Sequence, residues 1–231
     1  MAAWDDVIDF DDVGNWPMEL NTWLKLLNPP PADPEQRGRI EQIVGTHLGQ
    51  SRVRTYHCTR LLPSEVEAIK RDGLWPASSE LARDKREAAS AAGRPLPVWA
   101  QDDPSGKIWF YHRREDLDAA IAGALLRSWG GKELLASSRG VVDTVARPYI
   151  IAFDYPIRCL KYVFGNSWCG LESKIINQYC SQSTSVAPED TAFESCTDKL
   201  VRIEAAEIIP ARDVRFTALT NYSDELHFHA A

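Results

Sequence analysis

The stretch that most constrains the fold runs from Arg52 through Thr55-Tyr56-His57-Cys58-Thr59-Arg60 to Leu62 and on to Gly73. Val53 and Tyr56 suit a short strand, and Thr55, His57 and Thr59 alternate onto its other side, which predicts one buried and one polar face. Ser64 followed by Glu67 has the spacing of a capping box, with Pro63 just ahead, Val66 and Ile69 on one side, and Gly73 placed to stop the helix. The expected unit is therefore strand, polar corner, short helix and glycine stop. A strand ending in His57, Thr59 and Arg60 carries more hydrogen-bonding capacity than packing alone requires, which suits the lip of a cleft. Its plain structural counterpart is a solvated strand face.

Size and charge narrow what such a unit can belong to. A chain of 231 residues with 44% apolar content can bury a sizeable core, as one domain or as one domain with an N-terminal attachment. No apolar run approaches the roughly 18 residues that span a bilayer, and the acidic N-terminus lacks the basic region of a signal peptide. The expectation is a soluble cytoplasmic protein, bacterial or delivered into a host cytosol. A net charge of -7 argues against a nonspecific grip on nucleic-acid phosphates. The five cysteines are odd in number and lack a CxxC pair, so they read as free thiols rather than a disulfide framework or zinc ribbon.

Residues 1–34 form an acidic, Trp-rich arm. Asp5, Asp6, Asp9, Asp11 and Asp12 surround Trp4, Ile8 and Phe10, and Trp16, Leu20, Trp23, Leu24 and Leu27 recur at helical spacing before Pro29-Pro30-Pro31. The arm is expected to pack on the main body, residues 35–220, leaving 221–231 as a tail. Within that body the expectations are a helix from Asp33 to Leu48, a charged helix over 80–92, and a loop over 94–107. An aromatic strand at Ile108 to Tyr111 follows, then a helix over 117–129 capped by Asp116. Tyr149 to Tyr155 is the most apolar strand, with 159–164 beside it. A helical turn over 172–179 leads into a long loop whose order over 181–197 is not fixed by the sequence. Strands at 200–203 and 208–209 and a short one at 214–216 complete the pattern.

Tyr56-His57-Cys58-Thr59-Arg60, the short helix and Gly73-Leu74-Trp75-Pro76 resemble the first-strand motif of the ADP-ribosyltransferase superfamily. Ile108-Trp109-Phe110-Tyr111 is similar to the family's later strand, whose aromatic stacks on nicotinamide. The resemblance runs over residues 52–216. It implies an α+β fold in which twisted, mainly antiparallel sheets form a cleft with helices outside, and it implies NAD as substrate. By that resemblance His57 binds a cofactor ribose, Thr59 and Arg60 support the cofactor, and Tyr111 or Phe110 stacks on the ring. The family's glutamate near the start of a late strand has three candidates here, Glu194, Asp198 and Glu204. Asp198 stands at the matching place but is one methylene shorter than glutamate. The implied function is transfer of ADP-ribose from NAD to a protein or nucleic-acid acceptor, in a toxin, effector or defence setting.

Other chemistries find less support. Cys58 cannot serve His57 as a nucleophile, because neighbours on a strand point to opposite faces. Glu133 follows a helix stop at Gly130-Gly131, and His227 and His229 alternate without a third ligand, so no metal site is assigned. There is no GxSxG, Walker phosphate loop or GxGxxG run. The second reading is a noncatalytic binding or inhibitor protein whose acidic arm covers a basic partner.

Overall fold

The computed structural model describes residues 6–76, 78–91, 106–118, 147–164, 167–181, 194–199, 201 and 207–210. The architecture is mixed α+β. In chain order its strands are β1 (Val7–Ile8), β2 (Arg52–Leu61), β3 (Ile108–Tyr111), β4 (Arg147–Pro156), β5 (Lys161–Phe164), β6 (Ser167–Gly170), β7 (Glu194–Thr197) and β8 (Glu207–Pro210). Its α-helices are α1 (Met18–Leu26), α2 (Pro34–Gln50), α3 (Pro63–Asp72), α4 (Ser79–Ala91) and α5 (Leu171–Ser181). Most of the loop expected over 94–107, most of the helix expected over 117–129, Glu133, the strand expected over 214–216 and the tail with His227 and His229 lie outside the described residues. The chain divides into two compact units, Met1–Thr55 with Asp154–Ser195, and Tyr56–Phe153 with Cys196–Ala231.

The first unit holds the N-terminal arm and α2 together. Leu20, Leu24 and Leu27 are buried at the spacing that predicted a helix, and α1 packs on α2. Ahead of it Trp16 is buried, donates its indole N–H to the Asp9 carbonyl at 2.6 Å, and meets the Phe10 ring edge-on at 5.2 Å. Helix α2 begins where expected: Asp33 Oδ1 accepts from the Glu35 amide at 3.0 Å, and Pro34 takes a position that has no N–H to lose. Ile40, Val44 and Leu48, four residues apart, form its buried stripe. Arg54 Nε lies 2.6 Å from Asp154 Oδ1.

Downstream the same unit departs from expectation. The segment after Cys159 pairs antiparallel with β6, in the register Lys161↔Gly170 to Phe164↔Ser167, rather than with the 149–155 strand. A 3-10 turn at Ile157–Cys159 redirects the chain first, and the Ile157 amide donates to the Ser51 carbonyl at 3.1 Å. Helix α5 extends beyond the single turn foreseen at 172–179. The Glu172 carboxylate folds back over Gly170, and a Cβ at residue 170 would push that flexible side chain aside.

In the second unit the strand order is β3-β2-β4-β8. Strands β2 and β3 pair antiparallel with Tyr56 opposite Tyr111, and β8 pairs antiparallel with β4 from Tyr149↔Pro210 to Ala152↔Glu207. Pro210 is the last residue of β8, a position that loses no ladder donor when it faces away from the partner. Of the strand expected at 200–203 only Val201 lies among the described residues, and it forms an antiparallel bridge: Leu74 N–H to Val201 O at 2.9 Å and Val201 N–H to Leu74 O at 3.0 Å.

Helix α3 starts two residues earlier than its sequence signal. The cap is Leu62, Pro63 is the first helical residue, and Glu65, not Glu67, reaches back to the Leu62 amide at 2.7 Å. Leucine has no side-chain acceptor, so only half of the reciprocal box exists. Proline wins the first position because its fixed φ and missing N–H suit it. Gly73 closes the helix with φ +92°, a conformation costly for any residue with a Cβ. Asp116 sits inside a 3-10 turn at Arg114–Asp118, where both carboxylate oxygens are held by Arg113 at 2.7 and 3.0 Å; most of the helix expected after it lies outside the described residues. Along α4, Glu80, Arg83, Asp84 and Glu87 are exposed, as a solvated face requires.

Candidate functional site

The stretch that opened the sequence reading becomes β2, and within the second unit it does not have one polar face. From Tyr56 to Leu61 every residue except the half-buried His57 is buried. Strand β2 has neighbours β3 and β4 on its two edges, and residues on both its faces are buried, so alternation of residue type no longer reports alternation of exposure. Thr59 and Arg60 are among the buried polar residues. The Thr59 hydroxyl donates to the Arg60 carbonyl at 3.4 Å.

His57 is held by the neighbouring strand. Its Nδ1 lies 2.9 Å from the Trp109 carbonyl oxygen. A carbonyl only accepts, so Nδ1 carries the proton, and in the neutral ring Nε2 is the lone-pair nitrogen. Its ring meets Phe110 edge-on, centroids 6.2 Å apart at 68°, and Phe110 in turn meets Phe153 at 5.4 Å and 83°. Cys58 next door is fully buried, and that burial pushes its thiol up to about 12, far from any role as a thiolate nucleophile.

Register decides which aromatic can share the imidazole's side. Directly opposed residues of an antiparallel pair point to the same face. Tyr111 is opposite Tyr56, so it stands on the Tyr56 face, and Phe110 takes the His57 face. His57 and Tyr111 are therefore brought onto adjacent strands but not onto one surface, which corrects their expected partnership. Phe110 has no exposed surface, so it backs the imidazole and leaves no ring face for a ligand. On the other face, Arg114 Nε donates to the Tyr56 hydroxyl at 3.3 Å.

Among the carboxylates, Glu194 is half-buried and is the first residue of β7, a strand in a region read as loop. Within the first unit its carbonyl accepts from Lys174 Nζ at 3.3 Å, and the same ammonium lies 5.4 Å from the centroid of the buried Tyr162 ring. Asp198 follows β7 on an exposed bend, and Glu204 lies outside the described residues. Two features escaped sequence reasoning. The Trp109 carbonyl is a backbone group with no residue-type signature, and Arg114 belongs to no motif. The doubled Arg113-Arg114, one residue beyond an aromatic strand, was the available sign of the second. Among the described residues no three His, Cys, Asp or Glu side chains gather as a metal site, and no helix is long and apolar enough to cross a membrane. No family model, curated protein or solved structure matches the chain.

Proposed function

We propose that the protein consumes NAD, with His57 orienting a ribose and with ADP-ribose passing to a macromolecular acceptor, as the resemblance to ADP-ribosyltransferases implies. The observation that carries this reading is the fixed tautomer of His57. With Nδ1 donating to a backbone carbonyl, a neutral imidazole presents Nε2 as the acceptor that a ribose hydroxyl can use. A backbone partner keeps this choice independent of any neighbouring side chain's charge.

Cleaving the bond between nicotinamide and ribose leaves positive charge on the ribose, so the reaction also requires a carboxylate. Of its candidates Glu194 and Asp198 are described: Glu194 opens a late strand and has glutamate's full reach, and Asp198 is solvated just past the end of that strand. Phe110 and Tyr111 are both buried, so neither is assigned the nicotinamide ring in this reading.

The test is release of nicotinamide from NAD, followed by mass spectrometry, for the wild type, His57→Ala, Glu194→Gln and Asp198→Asn. Loss of about 100-fold or more in His57→Ala and in one carboxylate variant, with native circular dichroism, supports the reading. Absence of release, of transfer to any acceptor and of NAD binding by the wild type overturns it.

A further inference from the structure

The outer side of the N-terminal arm carries an apolar stripe that the NAD reading does not use. Met18, Thr22 and Leu26 follow one another at four-residue spacing on α1, opposite the buried Leu20 and Leu24. Met18 is 85% exposed, Leu26 49%, and Val13 in the preceding 3-10 turn 43%. These are three of the five large apolar side chains left exposed among the described residues, and all three fall within one stretch of 14 residues. Isolated exposed leucines are ordinary, but such clustering is typical of contact surfaces.

The charge around the stripe selects what can cover it. Between residues 5 and 26 six carboxylates stand against one lysine, Lys25. Asp11, Asp12 and Glu19 are exposed beside the apolar positions. A second copy of a chain with net charge -7, an anionic membrane surface and a nucleic acid are all repelled by this field. A cationic partner is drawn in, and a helical stripe of this width suits the apolar face of another amphipathic helix.

We propose that this face of α1, with the Asp11-Asp12 turn ahead of it, docks a basic amphipathic helix of a partner protein. The inference is independent of NAD chemistry. It is tested on the full chain by fluorescence anisotropy with a labelled Lys/Leu peptide of heptad spacing, a scrambled peptide of the same composition lacking an apolar face, and a Glu/Leu counterpart.

The Lys/Leu peptide is expected to bind best. Its affinity should fall about tenfold in the Met18→Ser/Leu26→Ser double variant. It should also fall severalfold in Asp11→Asn/Asp12→Asn and on raising salt from about 50 to about 300 mM. Both pairs are exposed, so folding is preserved and circular dichroism checks it. Equal binding of the scrambled or Glu/Leu peptide, or unchanged binding by the double variant, overturns the proposal. So does a dimer in sedimentation that the double variant dissolves, since the face would then belong to a second copy.

Discussion

Helices α1 and α2 and the strand that follows them obey different relations between sequence and burial. In the helices, the apolar residues at three- and four-residue spacing are the ones that are buried: Leu20, Leu24, Leu27, then Ile40, Val44, Leu48. In β2, polar and apolar residues are buried alike, down to Thr59 and Arg60. A surface helix keeps one side in water, so its pattern records which side is inside. A strand with neighbours on both edges and covered faces has no such record, and its polar groups must be accommodated inside the protein.

The sharpest way to break this comparison is to hollow out each interior in turn. Phe110→Ala should cost about 3–5 kcal/mol and Leu24→Ala about 2–5 kcal/mol in urea unfolding. A loss below about 1 kcal/mol at Phe110 would mean that the face beneath His57 is not sealed, and the contrast would fail.

A second probe is pH. Cys58 has a folded value of about 12 against an ordinary 9.0, so the thiol's contribution to stability is intact below pH 9 and is lost as pH rises through the folded value. Between those limits the unfolded chain has released a proton that the folded chain retains, which gives stability a negative slope of roughly 1 kcal/mol per pH unit. Comparing wild type with Cys58→Val from pH 8 to 10.5 isolates it. Parallel curves would show that the strand interior admits solvent.

The smallest effect sharpens the boundary between strand and helix. Glu65→Ala removes the contact to the Leu62 amide and should cost about 1 kcal/mol, whereas Glu67→Ala loses only an exposed pairing with Lys70, at most about 0.5 kcal/mol. Equal losses would restore Glu67 as the capping residue.

These cases also mark what the sequence could reveal. Helix α2 was legible from Asp33, Pro34 and its apolar spacing, and the stop at Gly73 from the need for positive φ. Strand β3 was legible from four consecutive aromatic or β-branched residues. Strand β7 was not, because Glu-Ser-Cys-Thr holds small and polar residues whose strand state depends on context more than on propensity. The candidate site was legible as residue types but not as geometry. His57 with an aromatic could be read off the chain, but whether Phe110 or Tyr111 shares its side depends on a one-residue register, which the two adjacent aromatics leave undetermined.

The reciprocal bond between Leu74 and Val201 has a consequence for biosynthesis. The residue that clasps the end of the motif organising the chain is made 127 positions after the residue it pairs with. Closing so wide a loop is slow, and until it closes the young polypeptide carries its His57 strand without that clasp. Any activity housed there therefore has to wait until Val201 has been made and has paired.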